Sequence, residues 1–265
     1  MAIRVHHLNC GTMSPFGVPD GLVCHVLLLE TDTGLALVDC GFGTLDIASP
    51  AKRCGPIRHF IRPAFDEAET AIRQVERLGH RPSDVRDIVV THFDADHVGG
   101  LSDFPWARVH VTADEAAGAL RPVTLLEKRR YRSAQRDHGP ELVPHTPGEK
   151  ESWRGFTGVK ELTEIAPGIV LISLPGHTRG HAAVAVDAGD HWVLHVGDSF
   201  YHRSQLGSAK RPPVSLRVLE RAVAFDRDRL GANLARLTEL WNDSEPGLVL
   251  VNAHDPTLLH RARSR

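Results

Sequence analysis

The chain has 265 residues, enough to bury a substantial core as one large domain, and its 42% apolar and 24% charged content lies close to the averages for soluble globular proteins. A formal charge of -2 with no basic face argues against nucleic acid as a partner, because phosphate binding depends on clustered Lys and Arg. No apolar run reaches the ~20 residues that span a bilayer, and MAIRVHHLNCG lacks the apolar core and cleavage site of a signal peptide, so a cytoplasmic location away from membranes is expected.

From the N-terminus, IRVHHLNC, LVCHVLLLE and GLALVDCG read as strands, the last two joined by the turn-prone TDTG. The third ends at Asp39, before the glycine-rich CGFGT. DEAETAIRQVERLGH reads as one amphipathic helix, with Asp66 as its cap and Ala68, Ala71, Ile72, Val75 and Leu78 as its apolar stripe. RDIVV is a short buried strand that runs into THFDADHVGG. ARVHVT is a further strand and ADEAAGAL a short helix. Residues 121–157 mix charge, proline and glycine, with LLEKRRYRSAQRD as a helix inside, and are expected to form an insertion that covers the site. Strands IVLISL, AAVAVD and HWVLHVGD follow, then a helix over roughly residues 225–241 and a last strand, GLVLVNAH. Two blocks of strands, each followed by helices, imply a layered α/β arrangement. Cys10, Cys24, Cys40 and Cys54 form no C-x-x-C pair and read as reduced thiols.

THFDADHVGG places two histidines and two aspartates within six positions, between an apolar strand and a pair of glycines. At a strand end, residues i and i+2 point the same way, so His92 and Asp94 can converge on one point, while Asp96 and His97, past the turn, face a second. Imidazole and carboxylate together are the usual ligands of Zn, Mn or Fe. Further ligands must come from elsewhere, and three strand ends offer them: His177 in ISLPGHTRGH, Asp198 in WVLHVGDSFY and His254 in LVLVNAHD. The chain holds 17 histidines, and His6, His7, His181 and His195 are set aside as structural or supporting residues.

In order, Asp39, the block from His92 to His97, His177, Asp198 and His254 resemble the metallo-β-lactamase-fold hydrolases, whose pattern is an early Asp, H-x-H-x-D-H, a His within GHTxGH, a Gly-Asp and a late His. The pattern is nearest to the quorum-quenching lactonase-like branch. The resemblance implies an αββα sandwich of two packed mixed sheets flanked by helices, covering nearly the whole chain, with a two-metal site along one edge. It assigns His92, Asp94 and His177 to the first metal, Asp96, His97 and His254 to the second, Asp198 as the bridge and Asp39 as support for a ligand. Two divalent ions are therefore expected, Zn first. A homodimer is also expected.

Asp94 departs from the family, where that position is usually histidine; flavodiiron relatives carry a glutamate in H-x-E-x-D-H. A carboxylate there admits Fe or Mn beside Zn. Asp94, Asp96 and Asp198 bring three negative charges against the four of two divalent ions, and a bridging hydroxide completes neutrality.

The expected reaction is hydrolysis, in which the bridging hydroxide attacks an electrophilic carbonyl and Asp96 carries a proton to the leaving group. Tyr201 lies three residues after Asp198, the offset at which the lactonase branch has a tyrosine that hydrogen-bonds the substrate. A lactone or related small ester is thus the expected substrate. The alternatives are a thioester hydrolase like glyoxalase II, a phosphodiesterase hinted at only by EKRRYR and by AKR at 209–211, and a di-iron oxidoreductase, for whose flavin domain the chain has no room. The two basic runs read as solvated faces. Trp153 and Phe156 are expected to shape the pocket, and Phe16, Phe42 and Phe200 either to line it or to be core.

Overall fold

In the computed structural model, which describes residues 2–207, 211–243 and 246–265, twelve strands form two sheets of six. The first sheet runs in sequence order through β1 (Arg4–Met13), β2 (Leu22–Thr31), β3 (Gly34–Val38), β4 (Val85–Val89), β5 (Arg108–Thr112) and β6 (Glu141–His145). The second contains β7 (Gly148–Trp153), β8 (Phe156–Glu161), β9 (Ile169–Ser173), β10 (Ala182–Asp187), β11 (Trp192–His195) and β12 (Leu248–Val251), again with sequence neighbours side by side. Both are mixed. In the first, β1 to β3 are antiparallel and β3 to β6 parallel; in the second, only β11 and β12 are parallel.

Alternation along β2 shows why the sheets stack. Leu27 and Leu29 point to one face, where with Val38 and Val89 they meet Leu171, Val184, Val193 and Val251 of the second sheet. Leu28 points the other way, into a core shared with Leu37, Ile88, Val75 and Ala116 beneath the first layer of helices. A third core packs Leu194 and Leu250 against Leu237 and Leu240 of the helix Arg227–Asn242. The layers are helix, sheet, sheet, helix, and a strand buried on both faces has to be largely apolar, as LVCHVLLL is but for His25. Each fully buried leucine of β2 contributes roughly 1.5–3 kcal/mol.

Three departures from the sequence expectations follow from side-chain chemistry. The amphipathic stretch after Asp66 splits into a 3-10 turn, Glu67–Glu69, capped by the Asp66 carboxylate, and a helix, Ala71–Arg77, that starts only after Thr70 adopts an extended backbone. Segment 121–157 is not one cover: only the helix Leu125–Arg130 packs on the site, while β6, β7 and the start of β8 are edge and near-edge strands. The helices Val214–Val223 and Pro256–Arg263 carry no expectation from the sequence, and residues 209 and 210 of the AKR run lie outside the described residues. All four cysteines are free and buried. Among the described residues no helix is long and apolar enough to cross a membrane.

Candidate metal centre

The chain leaves β3, β4, β9, β11 and β12 at the same edge of the sandwich, and each exit delivers a polar side chain. After β3, Asp39 takes a left-handed backbone (φ 57°) that turns its carboxylate back onto the end of β4. There it accepts hydrogen bonds from the Thr91 amide (2.7 Å) and hydroxyl (2.8 Å), and it receives the His97 Nδ1 proton at 2.8 Å. That last bond fixes the tautomer, leaving the Nε2 lone pair of His97 to face the site. Thr91 does the same for His92, whose Nδ1 lies 3.0 Å from the hydroxyl, and the Val23 carbonyl does it for His254 (2.8 Å).

Asp94 ends the extended segment and begins the single helical turn Ala95–Val98, which carries Asp96 and His97. The structure brings all seven side chains expected at the metals into two adjoining groups: His92, Asp94, His177 and Asp198, and then Asp96, His97 and His254. In the first, Asp94 Oδ2 lies 3.0 Å from His177 Nε2 and 3.4 Å from His92 Nε2. In the second, His254 Nε2 and His97 Nε2 lie 3.6 and 4.0 Å from Asp96 Oδ2. Asp198 stands between them. Its Oδ2 is 3.3 Å from His177 Nε2, while its Oδ1 is 3.3 Å from His97 Nε2 and 3.1 Å from His254 Nε2.

The donor set fits two divalent cations. His92 Nε2, His97 Nε2 and Asp198 Oδ1 are buried with no hydrogen-bond partner, a costly state unless something positive is held there. Electrostatics agree. Burial pushes the Asp198 carboxyl up, but His254, His97 and His177 outweigh it and hold the group well below the usual range. Burial likewise pushes His97 down, and Asp198 with Asp39 overcomes that to hold it well above the ordinary imidazole value. Cations entering this group displace protons that its histidines otherwise keep, so binding weakens in acid.

His181 is not a donor to the site. Its Nε2 accepts the Asp198 amide (2.9 Å) and its Nδ1 donates to the Leu174 carbonyl (3.0 Å), so both nitrogens are spent. Gly197, at φ 50°, permits that approach, since a β-carbon there would sit 2.6 Å from the imidazole. His195 and His7 flank His25 in a separate buried group, with His195 Nε2 donating to the His25 carbonyl and His7 Nδ1 2.9 Å from His25 Nε2.

Two residues essential to the geometry escaped the sequence reading. Arg130 belongs to the EKRRYR run, expected to be a solvated face, yet its guanidinium is buried: Nε lies 3.1 Å from Asp94 Oδ1, while Nη1 and Nη2 each donate at 2.6 Å to the carbonyls of His177 and Val223. Asp94 thus turns one oxygen to the metal group and the other to a cation of the protein. Burial pushes its carboxyl up, but Arg130 and the two histidines hold it well below the usual range. Glu115, fully buried, accepts from the Phe93 amide, the Tyr131 hydroxyl, the Thr178 hydroxyl and the Gly180 amide, tying the His92 segment to the His177 loop. Its position three residues after the Thr112 cap gave only a helix-start signal.

The cleft above the site is lined by Asp94, Asp96, Asp198, Tyr201 and His254 on its polar side and by Met13, Leu22, Ile57, Ile61, Leu219 and Val223 on its apolar side. Tyr201 is buried, its ring centroid 5.3 Å from that of His254 and 6.1 Å from that of His177. Of the two alternatives for Phe42 and Phe200 the core is the one realised, and the pocket role expected of Trp153 and Phe156 fails. Phe42 is buried in the first-sheet core, Phe200 and Phe156 belong to the core beneath the second sheet, and Trp153 packs there against Trp192. Phe16 is largely exposed and lines an apolar groove with Phe60 and Val218 that shares Ile57, Leu219 and Val223 with the cleft.

Comparison with known proteins agrees with this arrangement. The family model described as the metallo-beta-lactamase superfamily matches residues 19–242. A probable metallo-hydrolase of Mycobacterium tuberculosis is 56% identical over 261 residues, 98% of this chain and 83% of its own. Among solved structures, an N-acyl homoserine lactone hydrolase with the product N-hexanoyl-L-homoserine at its catalytic metal centre superposes with a TM-score of 0.70 at 19% identity, covering 100% of this chain and 97% of that one. A dizinc quorum-quenching lactonase superposes with a TM-score of 0.56 at 16% identity, covering 89% of this chain and 74% of that one.

Proposed function

This chain belongs to the metallo-beta-lactamase superfamily and is a metal-dependent hydrolase, and from that premise we propose that it opens a lactone or cleaves a related small ester, with two zinc ions as its native metals. His92, Asp94 and His177 would hold one ion and Asp96, His97 and His254 the other, with Asp198 between them. When bound, the ions supply a hydroxide at near-neutral pH and polarise a carbonyl oxygen.

The protein's own groups do the remaining work. Tyr201 carries the choice of substrate, because it places a phenol beside both histidine groups at the wall of the cleft. Burial, and then the negative charge of Asp198 and Asp94, raises its pKa well above the ordinary value, so the phenol keeps its proton and donates a hydrogen bond to the carbonyl or the departing ring oxygen. Asp96 is the candidate for the proton transfer: its side chain is 17% exposed against 3% for Asp198, and Asp94, equally open, is tied to Arg130. It would return a proton to the alkoxide as the ester bond breaks. The apolar wall of Met13, Leu22, Ile57 and Ile61 suits an acyl group. The resemblance in fold to lactone hydrolases supports this reading.

The same proposal carries a cytoplasmic location, a small-molecule substrate and a homodimer. Zinc-loaded protein should be assayed against lactones, thioesters and phosphodiesters in parallel. Lactone turnover that falls in Tyr201→Phe at unchanged metal content is the expected result; turnover confined to thioesters or phosphodiesters overturns it.

A further inference from the structure

A second cluster of metal-ligand chemistry lies away from the centre described above. His110 on β5 and His145 at the end of β6 project from neighbouring parallel strands, and Glu164 reaches them from the turn between β8 and β9 in the other sheet. His110 Nδ1 is 3.0 Å from His145 Nε2, and Glu164 Oε1 is 3.9 and 3.6 Å from those two nitrogens. We propose that His110, His145 and Glu164 form a third metal site, which takes a divalent transition ion such as Zn²⁺ and pins the two sheets together.

Three observations carry this. The first is the tautomer of His110: its Nε2 donates to Asp87 Oδ1 at 2.9 Å, and Asp87 is itself paired with Arg108 at 2.8 Å, so Nδ1 presents a lone pair to the cluster. A carboxylate behind an imidazole is the usual support of a metal-bound histidine. The second is the position of Glu164. Its oxygen lies beyond hydrogen-bond reach of both nitrogens yet within 4 Å of each, closing a triangle of 3.0, 3.6 and 3.9 Å. Zinc bonds of about 2.0–2.2 Å in tetrahedral geometry require donor separations of about 3.3 Å, which these edges bracket.

The third is accessibility and charge. His110 is fully buried and His145 nearly so, while the Glu164 side chain is 35% exposed, which leaves a route in and an open fourth position for water. Burial, and then His110, holds His145 below its ordinary value, so its ring is neutral and able to bind near pH 7. Asp87 and Glu164 offset Arg108 and the nearby Lys160, so the ion meets no net positive charge. Without metal, neutral His145 carries its single proton on Nε2 and donates it in a hydrogen bond to His110 Nδ1. Binding requires that proton to move to Nδ1 of the same ring, which leaves lone pairs on His145 Nε2 and His110 Nδ1.

The test strips the whole protein with a chelator, dialyses it against buffered Zn²⁺ and counts metal per chain, with thermal unfolding measured on the same samples. His145→Gln and Glu164→Gln are the variants, chosen because neither side chain is as deeply enclosed as His110. Each should bind one equivalent fewer than the wild type, and each should lose part of the stabilisation that zinc confers. The readout is a difference of one, whatever the main centre holds, so it stands apart from the proposed hydrolase chemistry. Equal zinc content in wild type and both variants, with circular dichroism showing them folded, overturns the site and leaves a hydrogen-bonded relay from Asp87 to His145.

Discussion

Changing Asp94 to histidine while Arg130 remains is expected to lose the metal held by His92 and His177, and removing Arg130 as well is expected to restore it. The guanidinium, only 7% exposed, lies 3.1 Å from Asp94 Oδ1. At an effective dielectric of about 20, that attraction is worth about 5 kcal/mol before desolvation is subtracted. Breaking one side of a buried pair typically costs about 3–5 kcal/mol. In Asp94→His, that cost falls where a cation must also enter, beside a guanidinium that no carboxylate now balances. Zinc affinity at this position should therefore drop by about two to three orders of magnitude. Asp94→His with Arg130→Met replaces an ion pair of zero net charge by a neutral imidazole, and affinity should recover to within about tenfold of wild type. Arg130→Met alone should keep its metals, because cations take over the balancing of Asp94, but its metal-free form should be less stable by about 3 kcal/mol. Metal content after dialysis against buffered zinc, with chemical denaturation of the metal-free forms, measures all four corners of the cycle, and the coupling should exceed about 2 kcal/mol. The ranking also separates charge matching from simple bracing. Arg130 donates to the carbonyls of His177 and Val223 as well, so if bracing were its whole role, the double variant would be the worst binder of the four, and the reasoning here would be wrong.

Other perturbations probe different links. Asp39→Asn leaves a side chain of the same shape but weakens the grip on His97 Nδ1 and on Thr91; zinc affinity should fall about 10- to 100-fold by competition with a chromogenic chelator, and an unchanged value would remove Asp39 from its supporting role. Tyr201→Phe should lower kcat/KM for a lactone by about 10- to 100-fold, the worth of one hydrogen bond to a charged oxygen, with zinc content unaltered. Acid should destabilise the fold through the histidine group at β1, β2 and β11. Burial, and then neighbouring charge, lowers His7 from 6.5 to about 4 and holds His25 well below the ordinary value, while burial holds His195 below it against the opposing charge of Asp39. Depressed folded values mean that the unfolded chain binds more protons in this window, so stability is lost as pH falls from about 6.5 toward 4. Urea denaturation across that range should show the loss, and His7→Gln should make the slope shallower; a parallel slope in the variant contradicts the assignment.

Much of the centre was legible in the sequence because its donors share one signature, a polar side chain just past the C-terminal end of an apolar strand. His92, Asp198 and His254 follow β4, β11 and β12 in that manner, and the alternating cores of β2 and β4 explain why those runs are apolar on both faces. Edge strands lack such a signature. In β7, GEKESW has five exposed residues of six, so hydrophobicity carries no period, and backbone pairing with β8 alone makes it a strand. Two sheets of six were therefore implied only through their centres. The failed expectation for Trp153 and Phe156 has a related cause: both flank a glycine turn between an edge strand and its neighbour, as pocket residues do, but the face on which each emerges depends on strand register.

Arg130 shows where legibility ends and why that matters for the chemistry. LLEKRR offers four charged residues in a row, and nothing in their order marks the last as the one that turns inward. What selects it is the helix end, which places Arg130 against the His177 loop and the last turn of the helix Val214–Val223, where two carbonyls and one carboxylate oxygen meet. The unusual Asp94 is intelligible only with this partner. With three carboxylates and one guanidinium, the centre carries a net charge of -2 before any metal arrives, the same as a family-type site with histidine at that position and two aspartates. The exchange of histidine for aspartate therefore leaves the electrostatic demand on the two cations unchanged, while it adds a constraint absent from an imidazole ligand: the carboxylate is held from behind by a helix that also walls the cleft. Movement of that helix on substrate binding would be felt directly at the first metal position, so changes in the packing of Leu126 should alter zinc affinity as well as KM, whereas equally disruptive changes on the far side of the sandwich, at Leu237, should alter stability alone.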